Sequence, residues 1–358
     1  MTQHALFYLM LTIIFNTQTI IGQSSSAPRS YVAYKTLEPM LIDGKAKEEA
    51  WANAPESENF IDIEGEITPK YQTTMKMLWD EDYLYFYAKM QEPHIWATLK
   101  QRDTVIFYNN DFEIFIDPTG DTHNYFEFEM NALNTVWDLF IAKPYRESAP
   151  VLNNWDIEGL KSNVFIKGTI NDPTDTDEFW SIEVAIPWDV LKEANVHNDI
   201  PIGEFWRINF SRVNWPFNLE NESYSRAKDS NGKFKPEYNW VWSPQGVINM
   251  HEPEHWGYVY FSDRQPTKNE EFVIPKDQHI KWELYRLYRA QKTHKEKYGV
   301  WAKTLSAITK NNFIIEGLDI QFFLEVHQSG WNIWAQSPFT EQLLLIKEDG
   351  EFLELETE

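Results

Sequence analysis

Hydrophobic and polar positions alternate with a period of two along most of the chain up to about residue 262, and that period predicts strands. Tyr71 to Trp79 and Tyr83 to Met90 are two such runs, split by Asp80-Glu81-Asp82 into a predicted hairpin. Phe112, Ile114 and Ile116 alternate with Glu113, Phe115 and Asp117. Phe126, Phe128 and Met130 alternate with Tyr125, Glu127, Glu129 and Asn131. Trp180, Ile182, Val184, Ile186 and Trp188 mark another apolar face, stopped at Pro187. Turn residues punctuate these runs at Asp117-Pro118-Thr119-Gly120-Asp121, Asn171-Asp172-Pro173 and Asn231-Gly232. Many short strands with one wet face each predict a mainly β protein. The expected architecture is an antiparallel β-sandwich of jelly-roll or immunoglobulin-like type over residues 27–265.

The period changes near Gln265-Pro266. Ile280, Leu284, Leu287, Tyr298, Trp301, Leu305 and Ile308 fall at helical steps once polar Gln291 and His294 are admitted. They predict a helix over about 277–310, roughly 45 Å long, with Gly299 the place for an interruption. Gln321 to Val326, Trp331 to Ala335 and Leu343 to Ile346 read as a small β-meander, completing a C-terminal extension over 266–358. Trp282, Tyr285, Tyr288, Arg286 and Arg289 make an aromatic, basic stripe on that helix, expected to pack against the sandwich.

The first 26 residues have a different character. Ala5 to Phe15 is an unbroken apolar run of signal-peptide length, too short to span a bilayer, and small residues follow to Ala27. A signal peptide over 1–26, cut near residues 23 to 26, is expected, although Met1 to His4 carry no Lys or Arg. No later segment is long and apolar enough for membrane insertion. The chain has no Cys, which removes disulfides, thiolate chemistry, Cys-ligated metals and a lipidated Cys anchor. A secreted or periplasmic bacterial protein that is not a lipoprotein is the expectation.

Charge narrows the partners. A formal net charge of −23 repels a phosphate backbone, so nucleic acid is excluded, and an anionic membrane is disfavoured. A neutral sugar is not penalised, and a divalent cation is attracted. Aromatics make up 16% of the chain, enough to leave rings over for a binding surface once a core is filled.

Several stretches in order resemble the family 9 carbohydrate-binding modules. They are Ile42-Asp43-Gly44 with Ala50-Trp51, Asn110 to Pro118, Phe126 to Asn131 with Trp137-Asp138, Glu183 to Trp188, Trp206 to Phe210 with Arg212, and His251 to Gly257. The resemblance spans about residues 31 to 262. It implies an exported, non-catalytic binder of oligo- or polysaccharide in polysaccharide use, with a secreted glycoside hydrolase as a candidate partner. Modules of this kind hold sugar ends between two Trp rings, with charged and amide side chains on the hydroxyls, and carry calcium away from that cleft.

The resemblance carries Glu113 onto a sugar-binding carboxylate and Asn131 onto a sugar-binding amide. Alternation puts Glu129 on the face of Glu113 if the two strands pair. Phe107 and Tyr108 stand where a family module offers its first Trp. The second ring is to be found among Trp215, Trp240 and Trp242, with Arg212 a charged candidate beside them. Asp117, Asp121, Asp172 and Asp175 lie in Asp-rich turns and are the candidate calcium ligands, without EF-hand spacing. His251 and His255 are four apart, but Pro253 between them spoils a helical metal pair. Two alternatives stand beside sugar binding. One is a glycoside-cleaving enzyme using paired carboxylates such as Glu113 and Glu129. The other is a haem-binding electron carrier of similar fold using Met250 and His251.

Overall fold

The computed structural model describes residues 27–195, 199–267 and 270–356, so the expected signal peptide lies outside the described residues. In chain order the first half contains β1 (Ser30–Lys35), α1 (Glu49–Asn53), β2 (Ile61–Asp62), β3 (Thr73–Trp79), β4 (Tyr83–Gln91), β5 (Asp111–Asp117), β6 (Tyr125–Asn131), β7 (Val136–Ile141), β8 (Val151–Leu152), β9 (Lys161–Lys167) and β10 (Phe179–Pro187). Then follow α2 (Trp188–Leu191), β11 (Phe205–Asn214), β12 (Phe217–Glu220), β13 (Ser223–Arg226), β14 (Tyr238–Val241) and β15 (Gly257–Ser262). Each predicted period-2 run is a strand.

Thirteen strands form one sheet, in the order β8-β7-β6-β5-β11-β15-β1-β3-β4-β10-β9, with β14 beside β11 and β2 beside β14. The sheet curls until its two halves face each other. Phe86 of β4 meets Phe210 of β11 at 5.9 Å although the two strands are not neighbours, and Phe60 meets Phe112 at 6.0 Å. The apolar sets predicted by alternation all point into this sandwich, with Met77, Phe112, Ile114, Phe128, Ile182 and Val184 fully buried. Pairing is antiparallel except at β1, which runs parallel to both β15 and β3.

The Ile42-Asp43-Gly44 and Trp51 stretch has a structural task. The amides of Asp43, Gly44 and Lys45 donate to Glu183 Oε2 on β10 at 2.9, 2.6 and 3.1 Å, and Trp51 Nε1 donates to Oε1 at 2.8 Å. One carboxylate therefore ties the N-terminal loop and α1 to the sheet.

The C-terminal extension holds α3 (Asp277–Tyr298), β16 (Ile314–Ile315), β17 (Leu318–Asp319), β18 (Phe322–Val326), β19 (Trp331–Gln336), β20 (Leu343–Lys347) and β21 (Phe352–Leu355). The helix is shorter than the periodicity predicts. Gly299 adopts φ +75° and its amide closes the last turn on Lys295 O at 2.7 Å, a left-handed cap that ends the helix twelve residues early relative to 310. Ile280, Leu284, Leu287 and Tyr288 pack on Trp331, Ile333, Leu344 and Ile346 of a four-stranded antiparallel sheet. The predicted meander is there, with β21 added. Tyr285 and Tyr288 of the expected stripe are buried, and Arg289 pairs with Glu252 and Glu254 on the sandwich. No helix among the described residues is long and apolar enough to cross a membrane.

Candidate functional site

The side of β5, β6, β7 and β11 opposite the apolar core carries an unusual set of polar residues. Register puts Glu113 of β5 directly opposite Glu129 of β6, Asp111 opposite Asn131, and Phe115 opposite Glu127. On the next strands Trp137 faces Glu129 and Ser211 faces Glu113. Trp137, Glu129, Glu113 and Ser211 thus form a cross-strand row on one face. Two strand pairings and a period of two suffice to build it.

This face is not the solvated surface that carboxylates usually occupy. Glu113 is 5% exposed, and Asp111, Glu127 and Glu129 are buried at least as deeply. Phe107 donates its amide to Glu129 Oε2 at 2.9 Å, closing one end. His251 lies 3.9 Å from Glu127 and shares a 2.9 Å hydrogen bond with the Tyr125 hydroxyl. Burial pushes His251 down to about 3, so it stays neutral beside Glu127. Burial pushes the Glu113 carboxyl up to about 7, with Glu237 adding to the rise and the Ser211 hydroxyl opposing it. Burial, and then the neighbouring carboxylates, push Asp111, Glu127 and Glu129 well above the usual range.

Exposed rings flank this floor. Tyr108 is 45% exposed and follows Phe107, against which its ring tilts at 4.7 Å. Tyr145 is 43% exposed, lies on the His251 ring at 3.9 Å, and feels the charges of Glu127, Glu129 and Glu113. Trp137 is half-buried beside Glu129, and its indole nitrogen is sealed from water without a hydrogen-bond partner. Arg226 stacks at 4.5 Å over Tyr108, 4.6 Å over Trp215 and 4.1 Å over Phe234.

The predicted site residues divide. Glu113, Glu129, Phe107 and Tyr108 come together. Asn131 shares their face, but its polar atoms are spent on the following turn. Its Oδ1 accepts from the amides of Leu133 and Thr135, and its Nδ2 donates to Leu99 O at 2.9 Å. Trp215 is buried and donates its indole N–H to Phe107 O at 2.7 Å, so it supports the rim without offering a ring face.

Two placements need correction. Trp242 is 1% exposed in the sandwich core, its ring passing so close to Gly257 that a Cβ there would stand 2.2 Å from it. Trp240 is in the same core. Arg212 also points inward. It pairs with Glu92 at 2.8 Å and donates to Gln91 O and the Thr73 hydroxyl inside the sandwich, on the opposite face of the sheet from the carboxylate row.

The candidate calcium ligands do not fit a cation. Asp117 accepts the amides of Gly120 and Thr122 at 2.7 and 2.9 Å, and the buried Lys281 ammonium from α3 bonds Gly120 O beside Asp117 and Asp121. The Lys281 charge already acts on both carboxylates. Asp172 caps its own turn through Thr174, and Asp175 is exposed. Neither loop brings three carboxylates together among the described residues. Met250 packs with Phe115 and Trp256, and its sulfur accepts from Gln245 Nε2 at 3.7 Å.

Four residues of the site were not singled out as ligands by the sequence: Asp111, Glu127, Trp137 and Tyr145. Alternation already placed Asp111 with Glu113, and Glu127 with Glu129. Trp137 needed the β6–β7 register, and Tyr145 sits in a loop with no periodic signal.

Residues 42–203 match the family described as carbohydrate family 9 binding domain-like. The resemblance drawn from the sequence stretches is borne out over that segment. No curated protein matches the chain. Among solved structures, a candidate carbohydrate-binding protein from Bacteroides uniformis is 16% identical, with 66% of this chain and 100% of that chain covered and a TM-score of 0.49. A family 9 carbohydrate-binding module from Caldicellulosiruptor kristjanssonii in complex with cellotriose is 16% identical, covers 69% of this chain and 98% of its own, and has a TM-score of 0.41. The module from the same organism in complex with glucose is also 16% identical, at 68% and 100% coverage and a TM-score of 0.41.

Proposed function

We propose that this protein binds carbohydrate without cleaving it, through the face on which Trp137, Glu129 and Glu113 stand in a row. The observation that carries the reading is that a row of carboxylates is flanked by two half-exposed rings, Tyr108 and Tyr145. A pyranose presents C–H groups from its flat face to an aromatic ring and hydroxyls from its edge to acceptors, so this combination suits a sugar. The match of residues 42–203 to the family 9-like domain supports it.

The four carboxylates argue against glycoside cleavage. Acid–base hydrolysis needs one carboxyl kept protonated and a partner kept ionised. Here burial raises all four, neighbouring carboxylates add to the rise at Asp111, Glu127 and Glu129, and among the described residues no Lys or Arg pairs with any of them to hold one ionised. Export through residues 1–26, a place in polysaccharide use and a secreted hydrolase as partner belong to the same proposal, supported by the apolar leader run and the acidic surface.

Isothermal titration against a panel of β- and α-linked oligosaccharides tests the reading. Saturable heat with at least one of them is expected, together with no release of reducing ends. Silence across the panel overturns it.

A further inference from the structure

We propose that Asp111, Glu113 and Glu129 form a binding site for a hard divalent cation of calcium's class. One ligand oxygen from each lies within 4.8 Å of the others, and all three side chains are buried. Both Asp111 oxygens are sealed from water and lack a hydrogen bond of normal geometry, although the Val213 amide lies near enough to favour the charged form. Glu127 adds a fourth carboxylate nearby, with its Oε2 equally sealed and without a partner. Unpartnered buried oxygens among clustered carboxylates call for a positive charge between them.

Two other groups of acids converge in this way among the described residues, and both already hold a guanidinium. Asp103, Asp138 and Asp156 surround Arg102, which reaches Asp138 at 2.6 Å and Asp156 at 3.1 Å. Glu252, Glu254 and His255 meet Arg289 and Arg146. At the third group no Lys or Arg pairs with Asp111, Glu113 or Glu129 among the described residues. His251 lies 3.9 Å from Glu127, and burial keeps it neutral. The contrast is chemical: two clusters carry their counter-ion on the chain, and the third does not.

The donor set selects the ion. It consists of carboxylate oxygens, which suit calcium, magnesium and manganese and disfavour metals that seek nitrogen or sulfur. Calcium sits about 2.3–2.6 Å from each oxygen, so ligand oxygens on one ion stand up to about 5 Å apart, and the three oxygens here lie within that reach of one another. Magnesium demands a tighter octahedron of about 2.0–2.1 Å. The ion site stands whether or not a sugar docks on the same face.

The test uses the full chain, stripped with EDTA, dialysed, and titrated with calcium chloride in the absence of sugar. One calcium per chain is expected, with Tm rising by about 2–8 °C at saturation. Asp111→Asn is expected to weaken calcium at least about tenfold, since affinity follows ligand charge. Its metal-free Tm stays equal or rises, because the amide has no ionised form whose burial is penalised. If that variant does not fold, Glu129→Gln is read in the same way. Asp175→Asn is the control and leaves binding unchanged. Neither heat nor a Tm shift with calcium at about 10 mM, beyond the weakest sites known for such modules, overturns the proposal. Calcium binding that survives both Asp111→Asn and Glu129→Gln also overturns it. Sugar is in none of these samples, so failure of carbohydrate binding would leave the result untouched.

Discussion

Glu113 and Glu129 stand directly opposite each other on neighbouring strands, on one face, both buried and without an ion-pair partner among the described residues. Like charges in that position repel, and a sheet built for stability alone would not place them so. Such local cost concentrates where a ligand is bound.

The rings beside this pair give the first prediction. Tyr145→Ala and Tyr108→Ala should each weaken sugar binding about three- to tenfold, the worth of an aromatic contact of about 0.5–1.5 kcal/mol. Both rings are more than 40% exposed, so thermal stability should hardly move. Titration calorimetry with a ligand from the panel, next to thermal melts, reads both. Unchanged affinity in both variants would remove the rings from the site.

Arg212 makes the second prediction. It was expected at the ligand face because it is charged, yet it sits in the core with Glu92, and Glu92 Oε2 also accepts from Asn214 at 2.7 Å. Removing one partner of a buried pair costs about 3–5 kcal/mol, so Arg212→Met should lower stability by that order in denaturant unfolding. Protein that still folds should bind sugar as before. A loss of affinity with intact stability would return Arg212 to the site.

The same residue shows what was legible in the sequence. Trp206, Ile208 and Phe210 alternate on β11, and extending that pattern by two puts Arg212 on the core side. The period carried the answer, while the charge pointed elsewhere. Its partner Glu92 lies 120 positions away, and no local pattern encodes such a pairing. The sandwich strands, the face of Glu113 and Glu129, and the C-terminal meander were all readable because each rests on spacing within one segment. The burial of that face was not. It depends on Tyr145 and His251, which are distant in sequence and lie in irregular segments. Lys281 beside Asp117 and Asp121 was invisible for the same reason.

Glu183 supplies the third prediction. Four donors from residues 43–45 and Trp51 converge on its carboxylate. Glu183→Ala leaves those donors without their acceptor and should cost about 3 kcal/mol or more, with unpaired buried donors at roughly 1–3 kcal/mol each as the driving loss. Glu183→Gln keeps an oxygen acceptor and should recover part of that in the same unfolding assay. Equal losses in the two variants would show that the side chain's volume, and not its acceptor oxygens, holds the loop.

The fourth prediction concerns acid. Glu254 is buried, which alone would raise its pKa, but Arg146 at 3.1 Å and Arg289 hold it well below the usual carboxylate range. Asp349 is likewise held low, against its partial burial, by hydrogen bonds with His123 and Lys143. Both links join the C-terminal extension to the sandwich: α3 brings Arg289, and the turn before β21 brings Asp349. A carboxylate with a depressed folded pKa adds stability that is present above its unfolded pKa of about 4 and is lost as pH falls toward the folded value. The attachment of the extension should therefore weaken below about pH 4, seen as proteolysis after residue 265 before the sandwich itself unfolds. Glu254→Gln should destabilise that attachment by about 2–3 kcal/mol at neutral pH, less than a fully buried pair because Arg289 stays partly hydrated. It should also flatten the acid dependence. An acid profile as steep in Glu254→Gln as in the parent chain would mean that other carboxylates hold the extension in place.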